Sequence, residues 1–202
     1  SDRLSCAVVE CMFRGKFSYL EILNSARTPS VTLPDGQILD CKKFAAQGAA
    51  FTFPVQSICY ATLAIGIERY LRPKARISDI ARSLRVYGDD IIVPHSSTGL
   101  LMQLLTALDM VVNQSKSYSQ GFFRESCGMD AFKGDDVTPA YIKVVTTAKR
   151  RPKPTETRSI VDVSNNLYLK GFIRASSTLL DCIRKDVRQD IPFVSVGSNI
   201  WG

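Results

Sequence analysis

Val86-Tyr87-Gly88-Asp89-Asp90-Ile91-Ile92-Val93-Pro94 sets two β-prone apolar runs on either side of a Gly-Asp turn. That pattern reads as a β-hairpin, and its turn should push two adjacent carboxylates outward from the edge of the sheet. Neighbouring negative charges repel unless a cation compensates, and a hard divalent ion does that best. Mg²⁺ is commonly held by one or two carboxylates together with substrate phosphates, and paired ions of this kind serve in-line phosphoryl displacement. A solvated hairpin tip is the plainer alternative, because Asp and Gly are ordinary turn residues. Spacing alone leaves both readings open.

Outward from the hairpin, the pattern predicts a mixed chain. On the N-terminal side, residues 78–84 form a short amphipathic stretch. Residues 53–71, rich in Ala, Ile and Leu, predict a buried helix with Pro54 in its first turn and Arg72-Pro73 at its end. Val31-Thr32-Leu33 and Gln37-Ile38-Leu39 flank Pro34-Asp35-Gly36, a second hairpin. Residues 4–23 carry helical spacing interrupted at Gly15, which predicts two short helices. On the C-terminal side, a helix is expected over 98–108, capped from Ser96 to Thr98. Turn signals at Gln120-Gly121 and Lys133-Gly134 bracket 122–132, and 141–145 predicts one more strand. Lys149-Arg150-Arg151-Pro152-Lys153-Pro154 reads as a basic linker, and 160–187 as helices broken at Gly171. A mixed α/β core before about residue 148 and a helical appendage after it follow from this layout.

Composition removes several classes of protein. The 202 residues fit one domain or a core with an appendage, and 45% hydrophobic with 22% charged residues is ordinary globular usage. A single histidine, His95, forbids a multi-histidine zinc site, so metal chemistry should rest on carboxylates. The six cysteines form no C-x-x-C pair; several sit in apolar patterns, as reduced buried thiols do. The apolar run 51–67 is too interrupted by polar residues to span a membrane. With 26 Lys and Arg against 19 Asp and Glu, the net charge is +7. Two basic clusters stand out. Six cations face only Glu156 between Lys143 and Arg158, and Arg69, Arg72, Lys74, Arg76, Arg82 and Arg85 face Glu68 and Asp79. Both could neutralise phosphates without reading sequence, or simply be solvated surface.

The hairpin string resembles motif C of viral RNA-dependent RNA polymerases, in the form found in the replicase of single-stranded RNA bacteriophages, the levivirus family. Gly48 and Phe51-Thr52-Phe53 through Ser57 are similar to motif B, with Ala50 where these replicases often carry a second glycine. Asn113-Gln114-Ser115-Lys116-Ser117-Tyr118 resembles motif D. Phe123-Arg124-Glu125-Ser126-Cys127-Gly128 resembles the family's signature in the position of motif E, and is its most specific string here. Pro139-Ala140-Tyr141-Ile142-Lys143 and Asn165-Asn166-Leu167-Tyr168 are also similar to replicase segments.

The resemblance implies an α+β fold: a right-hand polymerase palm, an antiparallel sheet backed by helices, with the start of a helical thumb. It divides the chain into palm (1–148), basic linker (149–158) and thumb (159–202). It implies RNA-directed RNA polymerisation by two-metal nucleotidyl transfer in the cytoplasm of a bacterial host. The partners would be RNA template and product, nucleoside triphosphates and the host elongation factors Tu and Ts, with no membrane. Asp89 and Asp90 would hold Mg²⁺, for which Mn²⁺ can substitute. Lys116 would donate a proton to pyrophosphate. Gly48, Thr52, Ser57, Tyr87 and Gly88 would support nucleotide and template, and Arg124 the product strand. Ser1-Asp2 is similar to the Ser-Asp pair of motif A, with Asp2 near the incoming ribose. The first metal-binding aspartate would then lie upstream of residue 1 and the fingers would be absent, leaving the 202 residues inactive by themselves. A metal-dependent nuclease using the same carboxylates and a non-catalytic RNA-binding module remain the alternatives. Neither requires motifs B to E in order.

Overall fold

The computed structural model describes residues 4–44, 48–142, 152–187, 190–195 and 198. Asp2, most of the basic run beginning at Lys143, and residues 143–145 of the expected last strand lie outside them. The chain forms two compact units, Ser1–Val137 and Thr138–Gly202, and its class is α+β: helices with small antiparallel sheets.

The first unit opens with α1 (Cys6–Phe13) and α2 (Phe17–Ala26), separated at Gly15 as the spacing predicts. Ser5 caps α1 by accepting the Val8 N–H. Strands β1 (Ser30–Thr32) and β2 (Ile38–Asp40) pair antiparallel around the Pro-Asp-Gly turn. A bridge between Ser5 and Lys43 and the bond from Phe44 N–H to Leu4 carbonyl (2.8 Å) then return the chain to its start.

Helix α3 (Thr52–Leu71) follows, a rod of about 30 Å. Its buried residues Val55, Cys59, Tyr60, Ala64 and Ile67 recur at three- and four-residue intervals and make one face. The expected buried helix buries one face only, with Ile58 and Tyr70 in solvent. Pro73 has no N–H to continue the ladder, so Arg72 closes the helix on the Glu68 carbonyl. Against the buried face pack Val9 of α1, Phe44, Ile80 of α4 (Ile77–Arg82), and Leu101 and Leu105 of α5 (His95–Ala107).

Helix α5 corrects the expected cap. Ser96, Ser97 and Thr98 lie inside the helix; Pro94, with φ −55°, takes the cap position, and the Ser97 and Thr98 hydroxyls donate back to its carbonyl. Proline fixes φ near the helical value, so the first turn starts three residues early. Between α4 and α5 run β3 (Arg85–Tyr87) and β4 (Asp90–Ile92). After α5 come a 3₁₀ turn, Gln114–Lys116, and a three-stranded meander, β5 (Phe123–Ser126), β6 (Met129–Phe132) and β7 (Asp135–Asp136). Among the described residues the single sheet expected from the resemblance is thus three separate antiparallel sheets.

In the second unit, α6 (Pro154–Leu169) and α7 (Ile173–Val187) meet at Gly171, whose φ is +82°. Helix α6 begins inside the stretch expected as linker, because Pro154 suits a first turn and the Glu156 carboxylate accepts the Lys153 N–H (2.8 Å). Ile160, Val161, Ile183 and Ile191 form its core, and buried Ser164 joins Ser176 across the helices. Leu169 and Ile173 are exposed beside the break. Tyr141 and Ile142 are not in a strand. Of the cysteines only Cys59 is buried; Cys11, Cys127 and Cys182 are exposed, so apolar neighbours in sequence overstated thiol burial. Among the described residues no helix is long and apolar enough to cross a membrane.

Candidate nucleotidyl-transfer site

Strands β3 and β4 pair Arg85 with Ile92, Val86 with Ile91 and Tyr87 with Asp90, which leaves Gly88-Asp89 as a two-residue loop. Gly88 sits at φ +62°, as the first central residue of a II′-type hairpin requires. A β-carbon there would lie 3.1 Å from Cε2 of Phe53. Phe53 also packs edge-on against Tyr87, ring centroids 4.7 Å apart. Beside it, the Ser57 hydroxyl accepts the buried Gly88 N–H at 2.9 Å. The first turns of α3 therefore fix the hairpin loop through one aromatic ring and one hydroxyl.

The two carboxylates are not equivalent. Asp89 occupies the exposed tip, and no hydrogen bond or ion pair engages it among the described residues. Asp90 is the first residue of β4, half-buried, and its Oδ2 accepts the Cys127 N–H at 2.8 Å. Both were expected to point outward from the turn; the register puts Asp90 in the ladder instead.

Cys127 belongs to the tip of the β5–β6 hairpin, where Ser126 pairs with Met129. Cys127 and Gly128 have φ of 53° and 77°, the two positive angles of a I′-type turn. That conformation aims the Cys127 N–H at Asp90 and ties the second hairpin to the first. Arg124 folds back on its own segment, donating through Nη1 to the carbonyls of Gln120, Gly121 and Phe123. It makes no ion pair with Glu125, so carbonyls rather than that carboxylate stiffen the hairpin.

The remaining expected site residues are dispersed. Lys116 ends the 3₁₀ turn, exposed, and Asn113 caps that turn by accepting the Ser115 N–H (3.2 Å). Gly48 is exposed with φ +88°, and Thr52 is buried at the start of α3. Asp2 lies outside the described residues. The structure thus brings together Ser57, Tyr87, Gly88, Asp89 and Asp90. It adds Phe53 and the Cys127 N–H, which motif reading did not single out. An x-Gly pair between two β runs could have flagged the second tip. Next to Ser57, Gln56 is buried with its Nε2 lacking a partner among the described residues.

A Mg²⁺ ion fits this donor set in a limited way. Two hard carboxylates stand side by side, one of them free, which suits an ion completed by waters and substrate oxygens. No group of three or more His, Cys, Asp or Glu side chains gathers among the described residues to form a closed protein cage.

Comparison with known proteins shows the family. The RNA replicase, beta-chain family model matches residues 1–150, and the chain belongs to that family. It is 34% identical over 169 residues to the RNA-directed RNA polymerase subunit beta of Escherichia virus Qbeta, covering 83% of this chain and 26% of that one. The corresponding subunit of Enterobacteria phage SP is 33% identical over 177 residues, 86% of this chain and 27% of the relative. The RNA-directed RNA polymerase beta chain of Escherichia phage MS2 is 29% identical over 127 residues, 63% and 21%. The chain therefore spans about a quarter of the length of these relatives.

Proposed function

We propose that this chain supplies the catalytic hairpin of an RNA-directed RNA polymerase that copies a phage genome inside a bacterial host cell. The observation that carries the reading is the pairing of a free carboxylate, Asp89, with an anchored one, Asp90, on a loop that α3 and the β5–β6 hairpin hold from two sides. Catalysis by positioned charge gains from groups that need no reorganisation during the reaction, and both anchors serve that end.

In this proposal Asp89 is the principal ligand and Asp90 supports it. Bound Mg²⁺, or Mn²⁺ in its place, would supply charge neutralisation for a two-ion attack of a 3′-hydroxyl on the α-phosphate of a nucleoside triphosphate, with pyrophosphate released. Ser57 and Phe53 hold the loop rigid. Gly88, with no side chain to press on Phe53, lets the loop seat its backbone against α3. Lys116 carries a mobile ammonium that can give a proton to pyrophosphate. Thr52 and Gly48 line the entry to α3, where template and ribose would pass. Arg124 shapes the hairpin that steadies the product strand. The first unit, to Val137, serves as palm, and α6 and α7 as the start of a thumb. The elongation factors Tu and Ts are proposed as host partners.

The test is Asp89→Asn in a full-length replicase carrying these residues. Nucleotide incorporation should fall by at least about 10²-fold while RNA binding persists. Near-normal incorporation would falsify the proposal, and RNA cleavage without incorporation would favour a nuclease.

A further inference from the structure

The second basic cluster is not scattered in space. It gathers at the far end of α3 from the catalytic loop, about 22 Å along the helix from Ser57 to Arg72. Between positions 68 and 85 six cations face two carboxylates, and both carboxylates are already committed. Glu68 is buried and takes the Arg72 guanidinium. Asp79 is shared by Arg76 (3.2 Å) and Arg82 (3.3 Å).

The guanidinium groups are held in place by their own backbone. Arg69 donates to the Ala75 carbonyl, Arg72 also reaches Ser83 Oγ (3.0 Å), and Arg85 donates to the carbonyls of Arg82 (3.0 Å) and Leu84 (2.7 Å). These bonds leave most of each five-donor fork directed elsewhere. Arg76 and Arg82 keep 84% and 80% of their side-chain surface exposed, and Lys74 has no partner among the described residues. Cations at a helix C-terminus favour the helix dipole. That accounts for Arg69 and Arg72 at the end of α3 and for Arg82 at the end of α4, but not for Lys74 and Arg76 between the two helices. Tyr70, 76% exposed, lies in the same last turn of α3 as Arg69.

We infer that this corner is an RNA-binding surface separate from the catalytic loop, on which pre-positioned guanidinium groups grip backbone phosphates and Tyr70 stacks on an unpaired base. Side chains already tethered lose less freedom on binding, and planar forks match phosphate oxygens. An exposed ring and a basic groove are what single-stranded nucleic acid uses. That the polyanion is RNA rests on the replicase reading.

The experiment titrates a labelled single-stranded oligoribonucleotide with the 202-residue chain by fluorescence anisotropy over a range of KCl concentrations. The comparison is with the combined variant Lys74→Gln, Arg76→Gln, Arg82→Gln. These side chains touch only one another's shared Asp79 or nothing described, so circular dichroism should be unchanged. The slope of log affinity against log salt should shrink by about 2, with affinity down about tenfold at low salt. Tyr70→Ala should weaken binding without altering the slope. Unchanged slope and affinity in the triple variant overturns the inference. So does displacement by polyglutamate as effective as displacement by unlabelled RNA, which would assign the corner to an acidic protein. Asp89→Asn should titrate like the parent chain. Loss of RNA by the triple variant together with normal incorporation by Asp89→Asn would remove the catalytic reading and leave the surface standing.

Discussion

At Gly88 backbone conformation and packing make the same demand. Its φ of +62° costs an L-residue about 1–2 kcal/mol, and a β-carbon would press on the Phe53 ring at 3.1 Å. Phe53 cannot easily withdraw, since Tyr87 stands edge-on against it. Gly88→Ala should therefore destabilise the first unit by about 1–3 kcal/mol, seen as a lower urea midpoint with unchanged slope. Ser57→Ala removes only the acceptor of the Gly88 N–H and should cost about 1 kcal/mol. Equal stability of Gly88→Ala and parent would mean that the loop can leave the positive-φ region. The sequence made the glycine's need visible, because Gly-Asp between β runs implies a turn. It hid the role of Ser57. A hydroxyl one turn into an apolar helix looks like any helix serine, and its partner lies 31 positions away.

The elements show where sequence pattern is informative and where it is mute. Short-range signals held: the break at Gly15, the Pro-Asp-Gly turn, the stop at Pro73 and the break at Gly171 all act through the conformational limits of one or two residues. The expected cap at Ser96 to Thr98 failed for the same kind of reason, since Pro94 imposes a helical φ before those hydroxyls are needed. Pairing between hairpins was not legible, because the bond from the Cys127 N–H to Asp90 depends on where two turns meet. That contact makes the tip of β5–β6 worth testing. Cys127 holds φ 53° without being glycine, and its exposed side chain has only the weak bond from the Ser126 hydroxyl to Sγ (3.6 Å) to set against the strain. Cys127→Gly keeps the donating N–H and removes the penalty. It should raise stability by up to about 1 kcal/mol, with the bond to Asp90 retained. A drop in the thermal midpoint would show that the thiol itself supports the hairpin. Cys127→Pro, lacking the N–H and unable to reach positive φ, should fail in both respects.

For the chain as a whole, hairpin signals end before the basic stretch and helical spacing resumes after it, whereas the compact units divide earlier, between Val137 and Thr138. Which residues make each core was less legible. Leu169 and Ile173 continue the apolar spacing of 160–187, yet the turn at Gly171 leaves them in solvent. In the first unit the core converges on Cys59, fully shielded on the inner face of α3. Burial disfavours the thiolate and pushes this thiol up from 9.0 to about 11. The folded chain therefore binds a proton that the unfolded chain releases first. Stability from this residue is complete below pH 9 and is lost as pH climbs toward about 11. Cys59→Ala should begin less stable, because it leaves a small cavity, yet its urea midpoint should fall less steeply over that interval. Lysines and tyrosines titrating in the same range act on both chains, so the difference between the two curves isolates Cys59. Parallel curves from neutral pH to about 11 would mean that the thiol ionises as readily in the fold as outside it, and that the inner face of α3 is open to water.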